Sequence, residues 1–215
     1  EAGIVNGDLV QNLVLHLTPR CNSTCPVCYD RYLSGRGEMS LDQVKGLVQR
    51  FKHTQVFLFG GEPTVRQDLP ELIAVVRSSG NQPVLYTNGL RLANERYLQD
   101  LLQAGLEAVY VSFDGFREEI YERMRGGRHE YRLKLAALAN LERAGVLTGI
   151  GTTVARGINE DQIGPLLDYV RDHPFIMDLS LRPVYLPGVD PEAGMGRFEL
   201  LSPEEINGMV SRHLG

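Results

Sequence analysis

Cysteine is scarce in this chain. Three occur among 215 residues, all between positions 21 and 28. An odd, clustered set of thiols in a chain with no recognisable secretory signal is a poor disulfide framework and a better metal or redox site. Long apolar runs are also missing. The longest, such as Leu72 to Val76, falls far short of the roughly 20 residues that span a bilayer. The first residues, Glu-Ala-Gly-Ile-Val-Asn-Gly-Asp, carry no positive charge ahead of their short apolar stretch, so no signal peptide is visible and a cytoplasmic location is the expectation. Basic surplus is absent as well. The net charge is −5 and the lysines and arginines are scattered, which argues against a nucleic-acid groove. Neither a repeat nor a low-complexity tract interrupts the sequence. What is present is ordinary globular composition, 43% hydrophobic and 23% charged, in a length that suits one large domain.

The dominant pattern is a strand followed by a helix. Short apolar, β-branched runs without clean alternation lie at 13–17, 55–59, 83–86, 108–113, 149–154 and 179–184, as expected of strands buried on both faces. Between them lie five stripes of helical period: Leu41, Val44, Val48 and Phe51; Leu69, Leu72, Ile73 and Val76; Leu98, Leu101 and Leu102; Leu133, Ala137, Leu138 and Leu141; and Ile163, Leu166, Leu167 and Val170. Ser40 with Gln43 reads as a capping box, and Gly80, Gly105 and Gly145 stand where a left-handed residue would stop a helix. Six strands alternating with five helices imply an α/β fold with parallel pairing and the helices outside, either an open sheet or a partial barrel. Residues 1–186 are expected to form this unit. Residues 187–215 supply a Pro/Gly-rich stretch and then a short helix started by Ser202 and Pro203, packing on the barrel or extending it.

Ligands of parallel α/β sheets bind at the carboxyl ends of the strands, where the connecting loops converge. The unusual residues fall there. Cys21-Asn-Ser-Thr-Cys25-Pro-Val-Cys28 follows the first strand and Gly60-Gly61-Glu62-Pro63 the second. Thr87-Asn88-Gly89, Ser112-Phe113-Asp114, Thr153 with Arg156, and Arg182-Pro183 close the other four. Three thiolates can hold three irons of a cubane cluster and leave the fourth open to a ligand, whereas electron-transfer clusters and structural zinc normally take four protein ligands. Two glycines without Cβ let a ligand lie against the backbone, and Glu62 can accept hydrogen bonds from an ammonium group. A tight turn with a solvated glutamate is the plain alternative. Arg182 lies within an apolar strand, where burial would demand a partner. Tyr29, Asp30 and Tyr32 could shield a cluster or simply pack, and His16 reads as a satisfied core histidine.

The C-x3-C-x2-C loop after the first strand, joined to Gly-Gly-Glu-Pro after the second, resembles the radical S-adenosylmethionine (SAM) superfamily. The stretches Cys25-Pro-Val-Cys28-Tyr29, Phe59-Gly-Gly-Glu-Pro-Thr, Thr87-Asn-Gly-Leu-Arg-Leu and Val111-Ser-Phe-Asp-Gly, with Arg182-Pro-Val-Tyr-Leu-Pro-Gly, are most similar to the branch containing tetraether lipid synthases and related pterin methylases. Larger members of that branch carry further cysteine clusters; this chain has no cysteine beyond Cys28. The resemblance implies a partial (β/α)6 barrel, a [4Fe-4S] cluster on Cys21, Cys25 and Cys28, and SAM chelating the open iron. Reductive cleavage would then give a 5′-deoxyadenosyl radical that takes hydrogen from a small-molecule, lipid or peptide substrate, the electron coming from a donor such as ferredoxin or flavodoxin. It further implies that Gly60, Gly61 and Glu62 hold the methionine ammonium and that Ser112 and Asp114 meet the carboxylate or ribose. Thr153 would serve the ribose, Asn88 or Arg156 the polar end of methionine, and Val27 and Val184 the adenine. A non-catalytic iron-sulfur or metal-binding domain is the competing reading.

Overall fold

A computed structural model of the chain describes residues 10–28, 37–184 and 198–215. The proposed cluster-shielding residues Tyr29, Asp30 and Tyr32, and the Pro/Gly-rich stretch 187–196, lie outside the described residues.

The described residues form a six-stranded sheet in the order β1-β2-β3-β4-β5-β6, every pair parallel. The strands are β1 (Asn12–His16), β2 (Gln55–Phe59), β3 (Gln82–Thr87), β4 (Ala108–Ser112), β5 (Leu147–Val154) and β6 (Ile176–Pro183). Between them run α1 (Leu41–Val48), α2 (Leu69–Ser78), α3 (Glu95–Gln103), α4 (Glu118–Met124), α5 (His129–Arg143) and α6 (Ile163–Asp172), and α7 (Pro203–Leu214) closes the chain. Sequential strands pair because each crossover helix returns the chain to the next edge in the same sense. The alternation of six parallel strands with outer helices is the expected α/β partial barrel.

The helical stripes are the buried faces. Val44 and Val48 of α1, Leu72, Ile73 and Val76 of α2, and Leu138 and Leu141 of α5 pack with Leu15, Leu58, Leu85 and Ile150 of the strands in one core. A smaller cluster of Val154, Ile163, Leu201 and Ile206 docks α7 against β5 and α6. The Ser40 capping box forms, its hydroxyl accepting from Gln43 N and the Gln43 side chain from Ser40 N. Gly80, Gly105 and Gly145 take φ of 81°, 103° and 65° after α2, α3 and α5, conformations that relieve a helix end cheaply only without a Cβ.

The unexpected element is α4. The helix has only 7 residues, with Ile120, Tyr121 and Met124 buried, too short for a periodic stripe to be read. Among the described residues no helix is long and apolar enough to cross a membrane.

Candidate functional site

The cysteine loop is an extension of the sheet before it is anything else. Past the end of β1, Gly61 N donates to Thr18 O and Glu62 N to Arg20 O, each at 2.8 Å, so the loop backbone lies directly on Gly60 and Gly61. A Cβ on Gly60 would stand 2.5 Å from Thr18 O, and one on Gly61 2.6 Å from Arg20 O. The glycines are therefore required by the chain's own Thr18–Arg20 backbone. This packing reason stands beside the expectation that they let a ligand lie against the backbone, since both glycines also line the cavity described below. Buried Arg66 adds a second tie, donating to Leu17 O (2.9 Å) and Met39 O (2.6 Å) while paired with Asp68.

Glu62 is wholly buried. Its Oε1 accepts from Thr64 N (3.0 Å), Thr64 Oγ1 (2.6 Å) and Thr87 Oγ1 (2.8 Å), and Oε2 from Asn88 N (2.6 Å). It is a clamp between the loops after β2 and β3, not the solvated glutamate of the plain alternative. The Asn88 side chain reaches the cysteine loop, donating to Asn22 Oδ1 at 2.7 Å.

Behind the loop lies a set of charges that the sequence did not advertise. Arg125, from the end of α4, grips Asp114 with two bonds of 2.5 and 2.6 Å. Asp114 is wholly buried, and its Oδ1 also accepts from Thr153 N at 3.0 Å. Burial works against the charge of Arg125, but Asp114 more than offsets it, and a hydrogen bond to Cys25 adds to the effect, so its pKa is raised. Lys134 of α5, also fully buried, donates to Asn88 O (2.6 Å), Ser112 O (2.8 Å) and Ser112 Oγ (2.9 Å). Burial, with Arg125 nearby, pushes its pKa down to about 8. Glu130 accepts from Ser23 Oγ at 2.6 Å, and that hydroxyl lies 3.1 Å from Cys25 Sγ.

These parts surround one cavity of about 220 Å³ to which every strand end contributes. Cys21, Cys25, Val27 and Cys28 line it from β1, Gly60, Gly61 and Glu62 from β2, and Asn88, Ser112, Thr153 and Arg182 from β3 to β6. Ser23, Arg125, Tyr86 and Tyr110 complete much of its wall. Three predicted residues are not in that lining. Asp114 spends its carboxylate on Arg125 and on the backbone of β5. Arg156 pairs with Glu205 of α7 at 2.6 Å. Val184 is buried in the core, its N bonded to Val154 O at 2.9 Å. His16 is half-buried with its ring edge against Phe59.

Residues 15–170 match the model of the Radical SAM superfamily. The chain belongs to the radical SAM superfamily. It is 34% identical over 202 residues, 89% of its length, to 7,8-dihydro-6-hydroxymethylpterin dimethyltransferase of Methanocaldococcus jannaschii. It is 36% identical over 178 residues, 77% of its length, to GTP 3′,8-cyclase of Xanthomonas axonopodis pv. citri. Fe-coproporphyrin III synthase of Methanosarcina barkeri is 33% identical over 172 residues, 78% of this chain. The chain spans 40%, 53% and 40% of those relatives' own lengths. In fold it is similar to native anSMEcpe with bound AdoMet, with a TM-score of 0.72 and 20% identity over 94% of this chain and 58% of that one. Streptococcus suis SuiB bound to S-adenosylmethionine matches at a TM-score of 0.72 and 17% identity, over 95% of this chain and 48% of that one.

Radical SAM membership implies a [4Fe-4S] cluster and SAM, and the donor set fits the cluster. Cys21, Cys25 and Cys28 share the cavity, and none is in a disulfide. Arg125 is hydrogen-bonded to Cys25, which places a cation beside the donor set. Ser23 N donates to Cys21 Sγ at 3.4 Å, the kind of bond to sulfur that tunes such clusters. Among the described residues no three His, Cys, Asp or Glu side chains converge on one metal ion; the thiols share a cavity rather than a preformed mononuclear site.

Proposed function

We propose that this chain is the catalytic core of a radical SAM enzyme that cleaves SAM reductively and directs the resulting radical at a hydrogen atom of its substrate. The observation that carries this reading is the convergence of all six strand ends and the three thiols on one cavity. A metal-binding module would have no use for the far strands.

Cys21, Cys25 and Cys28 would hold the cluster. With SAM bound there, the pair supplies a 5′-deoxyadenosyl radical when an electron arrives from a donor such as ferredoxin or flavodoxin. The rest of the chain positions and shields. Gly60 to Glu62 offer the negative end for the methionine ammonium, with Glu62 held in one orientation by its four donors. Asn88, Ser112 and Thr153 present polar groups for the carboxylate and ribose, and Val27 an apolar wall for adenine. Asp114 acts through Arg125, which it keeps charged and aimed at the cluster loop. Arg156 and Val184 have no direct role in this scheme.

Similarity to the pterin dimethyltransferase supports placement near pterin methylases; the tetraether lipid synthases rest on motif resemblance alone. The names of the three curated relatives point to different substrates or products, so radical generation is the activity assigned here.

Anaerobic reconstitution with iron and sulfide, followed by dithionite and SAM, should yield 5′-deoxyadenosine. The Cys28→Ala variant should not. A fully loaded cluster that leaves SAM intact would favour the electron-transfer alternative, and unchanged product from the variant would overturn the assignment of the loop.

A further inference from the structure

Among the described residues, three charged side chains besides the cysteines line the cavity: Glu62, Arg125 and Arg182. The fold gives two of them internal partners. Glu62 has four internal donors, and Arg125 has both oxygens of Asp114. Arg182 is different. It is exposed, its Nε donates to Ser180 Oγ at 3.0 Å, and no described carboxylate lies within ion-pair distance of it. Its neighbours leave space. In register across the sheet, Gly151 of β5 pairs with Ser112 of β4 on one side and Ser180 of β6 on the other, and Thr153 pairs with Arg182. A Cβ on Gly151 would meet nothing within 4 Å. The result is a patch of bare strand in the cavity wall, bordered by two serine hydroxyls and overlooked by a guanidinium with no ion-pair partner among the described residues.

We propose that this patch is an oxyanion subsite for the substrate, with Arg182 as its anchor and Ser180 holding the guanidinium in place. The chemistry it selects is a carboxylate or phosphate, since a guanidinium fork matches both. The anion belongs to the substrate because of where the strands lie. The cysteine loop follows β1 and the ammonium site follows β2, whereas Arg182 closes β6 at the opposite edge of the sheet. Methionine's own carboxylate, joined to the same carbon as its ammonium, is placed with Ser112 and Asn88.

The subsite rests on the cavity being the SAM site, but its test needs no turnover. In reconstituted, SAM-loaded protein, Arg182 is modified with phenylglyoxal and the rate is read by peptide mapping, with exposed Arg212 of α7 as the internal reference. Inorganic phosphate and acetate are the probes, against chloride at equal ionic strength. At twice the dissociation constant a bound anion should slow modification of Arg182 about threefold and leave Arg212 unchanged. Stronger protection by phosphate points to a phosphorylated substrate, and stronger protection by acetate to a carboxylic acid. As a second measurement, the upward shift of thermal midpoint with phosphate should vanish in Arg182→Gln and persist in part in Arg182→Lys. Equal protection of Arg182 and Arg212 would overturn the subsite, as would protection by SAM alone. Failure to form 5′-deoxyadenosine would instead sink the functional reading and leave the anion result standing.

Discussion

At the scale of single residues, the Gly-Gly-Glu motif is a packing device first. Gly61→Ala would drive a methyl group into the carbonyls of Pro19 and Arg20, and backbone cannot rotate away. Overpacking of this kind typically costs about 1–3 kcal/mol, so the thermal midpoint of apo-protein should fall, and iron bound after reconstitution should fall with it. Normal iron content would show that the loop has another way to close. Asp114→Asn removes one partner of a buried pair, a change that costs about 3–5 kcal/mol where the surviving charge stays buried; denaturant unfolding measures it. Lys134 gives a pH signature. Burial holds its folded pKa at about 8, below the ordinary lysine value of 10.5, so between those values the unfolded chain binds more protons and stability rises with pH. Relative to Lys134→Met, wild-type protein should gain stability from pH 8 to 10.5. A parallel pair of curves would show that the amine is not desolvated. Of these residues, Glu62 and Asp114 were legible from their place after strands. Arg125, Glu130 and Lys134 were not, because a charge on a helix reads as solvated until tertiary packing buries it.

At the scale of elements, legibility followed length. The stripes of α1, α2, α5 and α6 were readable because each repeats over two turns or more, and the glycine stops and the Ser40 box carry local chemistry that survives in any context. The α4 segment, with three buried side chains in 7 residues, gave no period, and with it went Arg125 at its end. Strand limits differed by a few residues, as at β6, which begins at Ile176 rather than 179. The docking of α7 is the element whose energetics are simplest to test. Ile206 is almost fully buried against Val154, Ile163 and Leu201. Its truncation to alanine should cost about 2–5 kcal/mol if α7 unfolds with the barrel. A smaller loss, with early hydrogen exchange confined to 203–214, would mark α7 as a separately melting unit.

At the scale of the whole molecule, six strands give the cavity a wall from each, and the charges are disposed in sequence along it: the thiol loop and buried Glu62 after β1 and β2, Arg125 after β4, and on β5 and β6 an open glycine and a guanidinium with no ion-pair partner among the described residues. Reconstitution with cluster and SAM should raise the thermal midpoint, because a ligand held by the folded state alone stabilises it by an amount that grows with the logarithm of ligand concentration over its dissociation constant. Removing iron with a chelator should return the midpoint to its apo value, and hydrogen exchange should change at 21–28 far more than in α2. The tie between Thr18–Arg20 and Gly61–Glu62 has one more consequence. Two backbone hydrogen bonds, indifferent to the side chains at Pro19 and Arg20, fix how far Cys21 lies from Glu62. The spacing is metered by residue count: exchanging the side chains at 19 and 20 leaves the interval intact, whereas inserting or deleting one residue there moves every thiol relative to the motif it serves.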